Sequence, residues 1–310
     1  MPAIFDRIGD RVSAARRRSS AFDHVVRTVL HYNEAKGNTQ AGAITYFGFL
    51  SFFPLLALAF FVVGYVGRVW EQARDNLTKA LEALLPGIIG SNPGQLSLHS
   101  IQSAAGTLGL LGLLGVFYAG LGWLSATRGA LQVVFEVPPG GFEGYLLGKL
   151  WDLVTMAVIG VTLVFSVAVS GVATGFSTQV LDWAGISVDL EWLVTLLGLG
   201  IGFGASVVLF FALFKLLAHP RLPDRSLWYG AMVGAVSFEL LKLVSNQLLG
   251  ATKSQPAFQA FGIALILIVW INYFSRVILI AASWAFTARA ARDYVALRHE
   301  ALGVTPPEEH

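Results

Sequence analysis

Long apolar stretches alternate with polar segments along the chain. A helix rises about 1.5 Å per residue, so about 20 apolar residues are enough to cross the roughly 30 Å hydrocarbon layer of a bilayer. Six stretches meet this length, and they are Ala41–Gly67, Ala104–Leu124, Leu150–Ala173, Trp192–Leu217, Leu227–Leu249 and Phe261–Phe286. No long soluble domain interrupts the series. The pattern predicts an all-α integral membrane bundle of six transmembrane helices, with residues 41–288 as one membrane domain.

The segments that flank this domain are polar. Residues 289–310 are predicted to be a cytoplasmic tail, and residues 1–40 a basic segment with two amphipathic pieces. The apolar positions of these pieces are Ile4, Phe5, Ile8 and Val12, then Phe22, Val25, Val26, Val29 and Leu30. Their arginine-rich opposite faces are typical of helices that lie in an anionic membrane surface, but cytoplasmic helices packed on the bundle's own loops fit equally well. Nucleic-acid binding is not predicted, because no stacking platform or known binding motif accompanies the arginines.

Composition and charge support a membrane location and suggest an orientation. Hydrophobic residues make up 55% of the chain and charged residues 13%, whereas soluble domains carry about a quarter charged residues. Arginines precede the first span, and the predicted outer loop 175–191 contains no lysine or arginine. The positive-inside rule therefore predicts that both termini are cytoplasmic. The absence of cysteine excludes disulfides and thiolate chemistry.

Two backbone features of the spans are notable. Pro54, near the centre of the first span, is expected to kink its helix, and Thr45, Ser51 or a neighbouring helix can satisfy the freed carbonyl. We interpret this kink as packing geometry more than as a hinge. Small residues four apart favour close helix contact in lipid, and they occur at Gly198, Gly200, Gly202, Gly204, Gly230 and Gly234.

The strongest candidate site is a set of polar residues in the last two spans, which we call the polar seam. It consists of Glu239, Lys242, Asn246, Asn272 and Arg276. Glu239 and Lys242 lie three apart on one helical face, where an acid and a base can pair. Charges at bilayer depth are costly and usually face a cavity or each other. The seam is either a wet pocket that meets a charged headgroup or an internal ion pair that fixes helix packing.

The sequence contains no candidate catalytic site comparable to the polar seam. The six histidines are scattered through predicted tails and loops, and no GxSxG elbow, P-loop or HExxH motif occurs. We therefore predict that the protein is not an enzyme and holds no metal or cofactor.

Three stretches carry a family resemblance. They are TYFGFLSFFPLLALAFF from Thr45, FELLK from Phe238 and FGIALILIVWINYFS from Phe261. In order and spacing they resemble signatures of the YihY/BrkB family of bacterial inner-membrane proteins, over about residues 22–290. The resemblance implies six spans with cytoplasmic ends and a role in the cell envelope, through serum resistance and lipid or lipopolysaccharide-precursor export. An older assignment of the family as a ribonuclease finds no nuclease site in this sequence.

The resemblance also marks individual positions. Residues that match the family pattern are Tyr46, Ser51, Pro54, Glu239, Lys242, Gly262 and Trp270. Two positions depart from it, since Trp284 stands where the family usually has an acid and Arg276 where it is usually apolar. The expected function is transport or flipping of a lipid or other amphiphile through the polar seam, with membrane lipids as partners. The alternative is a non-transporting scaffold or regulator of envelope assembly.

Overall fold

A computed structural model of the chain describes residue 13 and residues 15–66, 120–137, 191–252 and 258–294, and every regular element within these ranges is helical. The principal helices are α1 (Ser20–Glu34), α2 (Gly37–Val66), α3 (120–134), α4 (Glu191–Ala212), α5 (Asp224–Thr252) and α6 (Phe258–Thr287). The all-α prediction is thus confirmed for the described part of the chain. The third predicted span, most of the second, the first amphipathic piece and the end of the tail lie outside the described residues. The count of six spans therefore stays a prediction.

Four of these helices coincide with predicted spans, namely α2, α4, α5 and α6. Two described segments are long and apolar enough to cross a membrane, Asp224–Val244 in α5 and Ala264–Thr287 in α6. A shorter apolar helical segment covers Gly202–Ala218. The described part of α3 starts near the end of the second predicted span and continues ten residues beyond Leu124.

Helix α6 occupies the centre of the described bundle, because it contacts α1, α2 and α5, while α5 also contacts α4. Aromatic rings join α4, α5 and α6 at one level. The Phe238 ring centroid lies 5.2 Å from that of Phe274 and 6.4 Å from that of Phe210, and Phe210 lies 6.2 Å from Phe274. Such tilted contacts between buried rings contribute beyond the area that they remove from solvent. This cluster sets how the three helices face one another.

Glycines of α5 allow the closest helix approaches. A Cβ atom at Gly230 would lie 2.7 Å from the Ala281 carbonyl oxygen of α6, and one at Gly234 would lie 2.6 Å from the Phe210 ring of α4. The predicted notch at these two positions is confirmed.

The glycine repeat of α4 makes no close helix contact among the described residues. A Cβ atom at Gly200, Gly202 or Gly204 would meet nothing within 4 Å, so these positions make no close contact within the described chain. Close contact of this repeat is therefore not seen among the described residues, where α5 packs on the α4 face that carries Ser206 and Phe210, and contact with the rest of the chain stays a prediction.

A single π-helical turn, Leu213–Ala218, ends α4, and His219 follows it with a left-handed backbone at φ 50°. Leu213, Phe214 and Leu217 are buried in this turn. Across the short connection Lys215 pairs with Asp224 at 2.5 Å, at the start of α5. The extra residue of a π turn rotates the end of the helix, and here the turn precedes the short connection from α4 to α5.

Helix α1 packs on the end of α6 through its polar face. Thr28 Oγ1 lies 3.1 Å from Thr287 Oγ1, and His24 Nε2 lies 3.1 Å from the Trp284 carbonyl oxygen. His31 Nε2 lies 2.7 Å from the Val134 carbonyl at the end of α3. Among the described residues α1 therefore packs on helices α6 and α3, and both interpretations of its location stay predictions.

The outward face of α1 is apolar. Its exposed large apolar residues are Phe22, Val25, Val29 and Leu30. A helix on a soluble core buries its apolar stripe and exposes its polar one. The reversed arrangement of α1 suits lipid on the outer side, so the membrane-surface interpretation agrees with the same structure.

Candidate functional site

Glu239 and Lys242 form an ion pair within α5. Lys242 Nζ lies 2.7 Å from Glu239 Oε1, and the two side chains are 31% (Glu239) and 20% (Lys242) exposed. Both residues lie near the middle of α5, Glu239 about 22 Å and Lys242 about 27 Å from its start at Asp224 by helical rise. The predicted pairing is confirmed, and the pair is only partly covered by protein.

Neighbouring groups contact each member of the pair. Ser206 of α4 lies 3.5 Å from Glu239 Oε1, but its hydroxyl also donates to the Gly202 carbonyl at 3.0 Å. Lys242 Nζ lies 5.1 Å from the centroid of the Phe238 ring, within range of a cation–π interaction. The pair is therefore oriented toward α4 at the edge of the aromatic cluster.

Asn272 and Arg276 belong to a second polar set, between α6 and α2. Asn272 Nδ2 donates to Thr45 Oγ1 at 3.1 Å, and Thr45 donates in turn to the Ala41 carbonyl at 2.6 Å. The Arg276 guanidinium carbon lies 5.6 Å from the centroid of the Tyr273 ring. Its Nε atom is buried and has no hydrogen-bond partner among the described residues.

The second polar set lies on the face of α6 that is turned away from α5 and its ion pair. Phe274 packs on Phe238 of α5, whereas Asn272 and Arg276 are each two positions away from it, a rotation of about 200°. Among the described residues the predicted polar seam is thus two separate sets and not one. The physical reason is that sequence spacing fixes a face of one helix but not which neighbour that face meets.

Two of the remaining predicted residues have backbone positions only. Asn246 lies in α5 and Gly262 in α6, and their surroundings are outside what the structure describes. Tyr46 is exposed on α2, with its ring edge-on to Phe47. The Trp270 ring stacks on Phe274 at 5.4 Å, and its buried Nε1 has no hydrogen-bond partner in the described part of the chain.

Pro54 lies inside α2, and the helix continues on both sides of it. Proline at this position leaves the Leu50 carbonyl without its helical partner. Ser51 donates to the Phe47 carbonyl at 2.6 Å, and Thr45 donates to Ala41. Each of these hydroxyls donates to the carbonyl four residues earlier, and the partner of the Leu50 carbonyl, a neighbouring helix included, stays a prediction.

Sequence reasoning missed Ser206, which approaches Glu239, and Tyr32, whose hydroxyl is influenced by the charge of Arg276. Both lie on helices distant in the chain from the residues that they approach, so no spacing rule could have found them.

Serine and threonine hydroxyls in these helices commonly bond the carbonyl four residues earlier, as Ser275 does with Ile271 at 2.7 Å. This local bond satisfies a buried hydroxyl without a tertiary partner.

Ionisable groups of α1 and of the α4–α5 connection have shifted pKa values. Hydrogen bonds from Arg16 and Arg27 hold the pKa of Asp23 below its usual value, against the opposing effect of burial. Burial lowers the pKa of His24 and of His219. Burial raises the pKa of Tyr32, and the nearby positive charge of Arg276 partly opposes that rise.

The described residues contain no group of three or more His, Asp or Glu side chains that is arranged to hold a metal ion. The absence of enzymatic activity stays a prediction.

Comparison with known proteins places the chain in a family. The profile described as Virulence factor BrkB matches residues 28–301 of the 310. The chain belongs to the BrkB family. The resemblance seen in the three motif stretches is confirmed, and this BrkB-family chain is a membrane protein.

Two relatives of this BrkB-family chain extend over nearly its whole length. Inner membrane protein YhjD of Escherichia coli (strain K12) is 28% identical over 285 residues, covering 89% of this chain and 84% of the relative. An uncharacterized protein of Dickeya dadantii (strain 3937) is 28% identical over 287 residues, covering 89% and 86%. No solved structure gives a significant match.

Proposed function

We propose that this protein carries the charged headgroup of a lipid or other amphiphile across the bacterial inner membrane, along the Glu239–Lys242 pair of α5. The observation that supports the proposal is a partly exposed Glu–Lys pair within a single long apolar helix. The name of the Escherichia coli relative supports an inner-membrane location. Cytoplasmic placement of both termini is part of the proposal.

The position of the pair argues for a role beyond helix packing. Both charges belong to α5, and the link to α4 is a long contact with Ser206, at 3.5 Å. An (i, i+3) pair stabilises a helix by only about 0.2–0.5 kcal/mol, whereas charges at bilayer depth cost a few kcal/mol each. This pair does not link two helices, and its stabilisation is smaller than the free-energy cost of placing its charges at bilayer depth. Binding of a ligand explains its presence better than helix packing does.

The chemistry of the pair suits a headgroup that carries phosphate. Lys242 would attract the phosphate, and Glu239 would attract an ammonium group where the headgroup has one. Exposed apolar residues flank the pair on α5, namely Val236, Leu240, Leu243 and Val244. Acyl chains can lie along this surface in lipid while the headgroup exchanges with the ion pair.

Reconstitution into vesicles with labelled lipids of several headgroup classes tests the proposal. Glu239→Gln and Lys242→Met, separately and together, are expected to slow lipid movement at least about tenfold, which corresponds to about 1.4 kcal/mol of barrier. A matched control is the exposed pair Lys215–Asp224, where Lys215→Met with Asp224→Asn should leave the rate unchanged.

Two outcomes would contradict transport. One is a wild-type protein that accelerates no headgroup class. The other is a folded double variant that keeps the full wild-type rate. A stoichiometric copurifying partner together with tolerance of neutral residues at 239 and 242 would indicate a scaffold or regulator instead.

A further inference from the structure

Helix α1 crosses the end of α6 at a large angle. Side chains of α1 contact residues of the last turn of α6 pairwise, namely His24 with Trp284, Thr28 with Thr287, and His31 with Phe286. On α1 these contacts extend over residues 24–31, about 10 Å by helical rise, whereas on α6 they extend over residues 284–287, about 5 Å. Two helices that ran side by side would contact each other over equal lengths, so α1 lies across α6.

The crossing point lies at the end of a membrane-crossing segment. Residues Ala264–Thr287 of α6 are long and apolar enough to cross a membrane, and α1 contacts the last turn of this segment. That turn contains Trp284, a residue type enriched where the hydrocarbon layer meets the headgroups. A helix that lies across the end of a span lies near the plane of the membrane surface. The depth of α1 is therefore that of the headgroup layer of one leaflet.

The face of α1 turned away from α6, which we call the outer face, is apolar. Phe22, Val25 and Val29 are exposed on it, and they follow the three- and four-residue spacing of one helical face. Amphipathic helices that lie in a membrane surface bury such a face at the boundary between headgroups and acyl chains. Contact with acyl chains removes these side chains from water, which is favourable.

Arginines outnumber carboxylates where α1 meets the end of α6. The described residues 15–34 and 288–294 contain six arginines and three carboxylates. Asp23 accepts a hydrogen bond from Arg16 Nε at 2.8 Å and another from Arg27 Nε at 2.7 Å. A guanidinium has five N–H donors, so Arg16 keeps donors beyond the one that it uses on Asp23. This end of the bundle therefore carries excess positive charge.

Arg292 lies beside the same group of charges. Burial lowers the pKa of His24, the neighbour of Asp23 in α1, and the nearby positive charges of Arg292 and Arg27 lower it further. Arg292 Nε is buried and has no hydrogen-bond partner in the described part of the chain. An unpaired buried donor is costly, and a phosphate oxygen is a strong acceptor for a guanidinium. The headgroup layer supplies that acceptor.

We propose that α1 is a docking surface for anionic phospholipids of the leaflet at the Thr287 end of α6. Arg16 and Arg292 donate charge-assisted hydrogen bonds to the phosphate oxygens. The acyl chains lie along the outer face of α1. The excess of arginine over carboxylate favours headgroups with a net negative charge over zwitterionic ones, because basic residues near a membrane surface are attracted to anionic lipids.

The depth of α1 can be measured with a spin label, because the chain contains no cysteine. Val29→Cys places a nitroxide on the outer face of the full chain, in vesicles of phosphatidylcholine and phosphatidylglycerol. The label should be more accessible to oxygen, which dissolves among acyl chains, than to a water-soluble nickel chelate. Arg221→Cys, exposed in the connection from α4 to α5, is the control and should show the reverse order. Greater accessibility of the label at residue 29 to the nickel chelate would overturn the proposal.

Headgroup selectivity is measured by native mass spectrometry of the purified full chain in a nonionic detergent. Wild type should bind phosphatidylglycerol more tightly than phosphatidylcholine or diacylglycerol. Arg16→Gln combined with Arg292→Gln should weaken phosphatidylglycerol binding about tenfold, since charge-assisted hydrogen bonds are lost. Arg225→Gln removes an exposed arginine of α5 and should leave the affinity unchanged. Equal wild-type affinity for phosphatidylglycerol and phosphatidylcholine, or an equal loss in Arg225→Gln, would contradict the site.

Asp23→Asn separates lipid binding from a purely structural role of the arginines. The neutral amide competes less with phosphate for Arg16, so the affinity for phosphatidylglycerol should rise. If the ion pairs only held α1 in place, their loss would loosen α1 and the affinity would not rise. Unchanged or weaker binding by the folded variant would therefore overturn the role of the arginines. If the variant does not fold, the spin-label measurement with native arginines decides.

This docking surface is separate from the proposed transport. The Glu239–Lys242 pair belongs to α5 and lies toward α4, whereas α1 packs on α6 and α3. Loss of lipid movement in the Glu239 and Lys242 variants, with phosphatidylglycerol binding intact, would show that the two proposals succeed or fail separately.

Discussion

At the residue scale, local spacing decides some contacts and tertiary packing decides others. Glu239 and Lys242 are three apart on one helix, so their contact follows from the sequence alone. Asn272 and Arg276 share a face for the same reason. Their placement away from the ion pair depends on which side of α6 meets Phe238, and no spacing rule contains that choice.

Glycine positions test the packing at this scale. Gly230→Ala should destabilise the protein by about 1–3 kcal/mol, because the new methyl would lie 2.6 Å from Ala285 Cβ and 2.7 Å from the Ala281 carbonyl oxygen. Gly204→Ala should be neutral or slightly stabilising, since its methyl meets open space and alanine favours helix. Thermal unfolding in detergent compares the two. Equal destabilisation would mean that α5 and α6 do not approach closely at Gly230.

At the element scale, α1 shows that amphipathicity does not by itself identify the buried face. The sequence predicts a helix with a polar and an apolar side, and in a soluble protein the apolar side would pack inward. Here Thr28 and His24 contact α6, while Val25 and Val29 are exposed. The solvent on the outer side, water or lipid, decides the orientation, and this information is absent from the local pattern.

The docking of α1 should depend on pH through His24. Burial holds the pKa of His24 below 6.5 against the raising effect of its hydrogen bond with the Trp284 carbonyl, and the charges of Arg292 and Arg27 lower it further. Above pH 6.5 the imidazole is neutral in both folded and unfolded states, so its stabilising contribution is fully present. As the pH falls from there through the lower folded-state pKa, the unfolded state binds a proton more readily and the contribution is lost.

Hydrogen exchange of the α1 amides measures this effect. After correction for intrinsic rates, exchange should be faster at pH 5 than at pH 7.5. His24→Gln keeps a donor for the Trp284 carbonyl without titrating, so its exchange should lose most of this pH dependence. An unchanged dependence in that variant would assign the effect to another group.

At the scale of the whole molecule, the chain's lack of cysteine makes topology directly measurable. Ser187→Cys, in the predicted outer loop 175–191, should react with a membrane-impermeant maleimide in intact spheroplasts. Ala301→Cys, in the predicted cytoplasmic tail, should react only after permeabilisation, because arginine-rich ends stay on the cytoplasmic side. The reverse labelling pattern would contradict cytoplasmic termini.

The sequence by itself determined the helical class, the bounds of α2, α4, α5 and α6 to within a few residues, the pairing of Glu239 with Lys242, and the family. These properties follow from hydrophobic runs, from helical spacing and from motif order, and all three can be read from the order of residues in the chain. Tertiary structure alone decided that α5 packs on the α4 face of Ser206 and Phe210, that α1 turns its polar face inward, and that Arg276 is separated from the ion pair. Each of these depends on which faces of distant helices meet, and that choice minimises the free energy of the whole bundle rather than of any one segment.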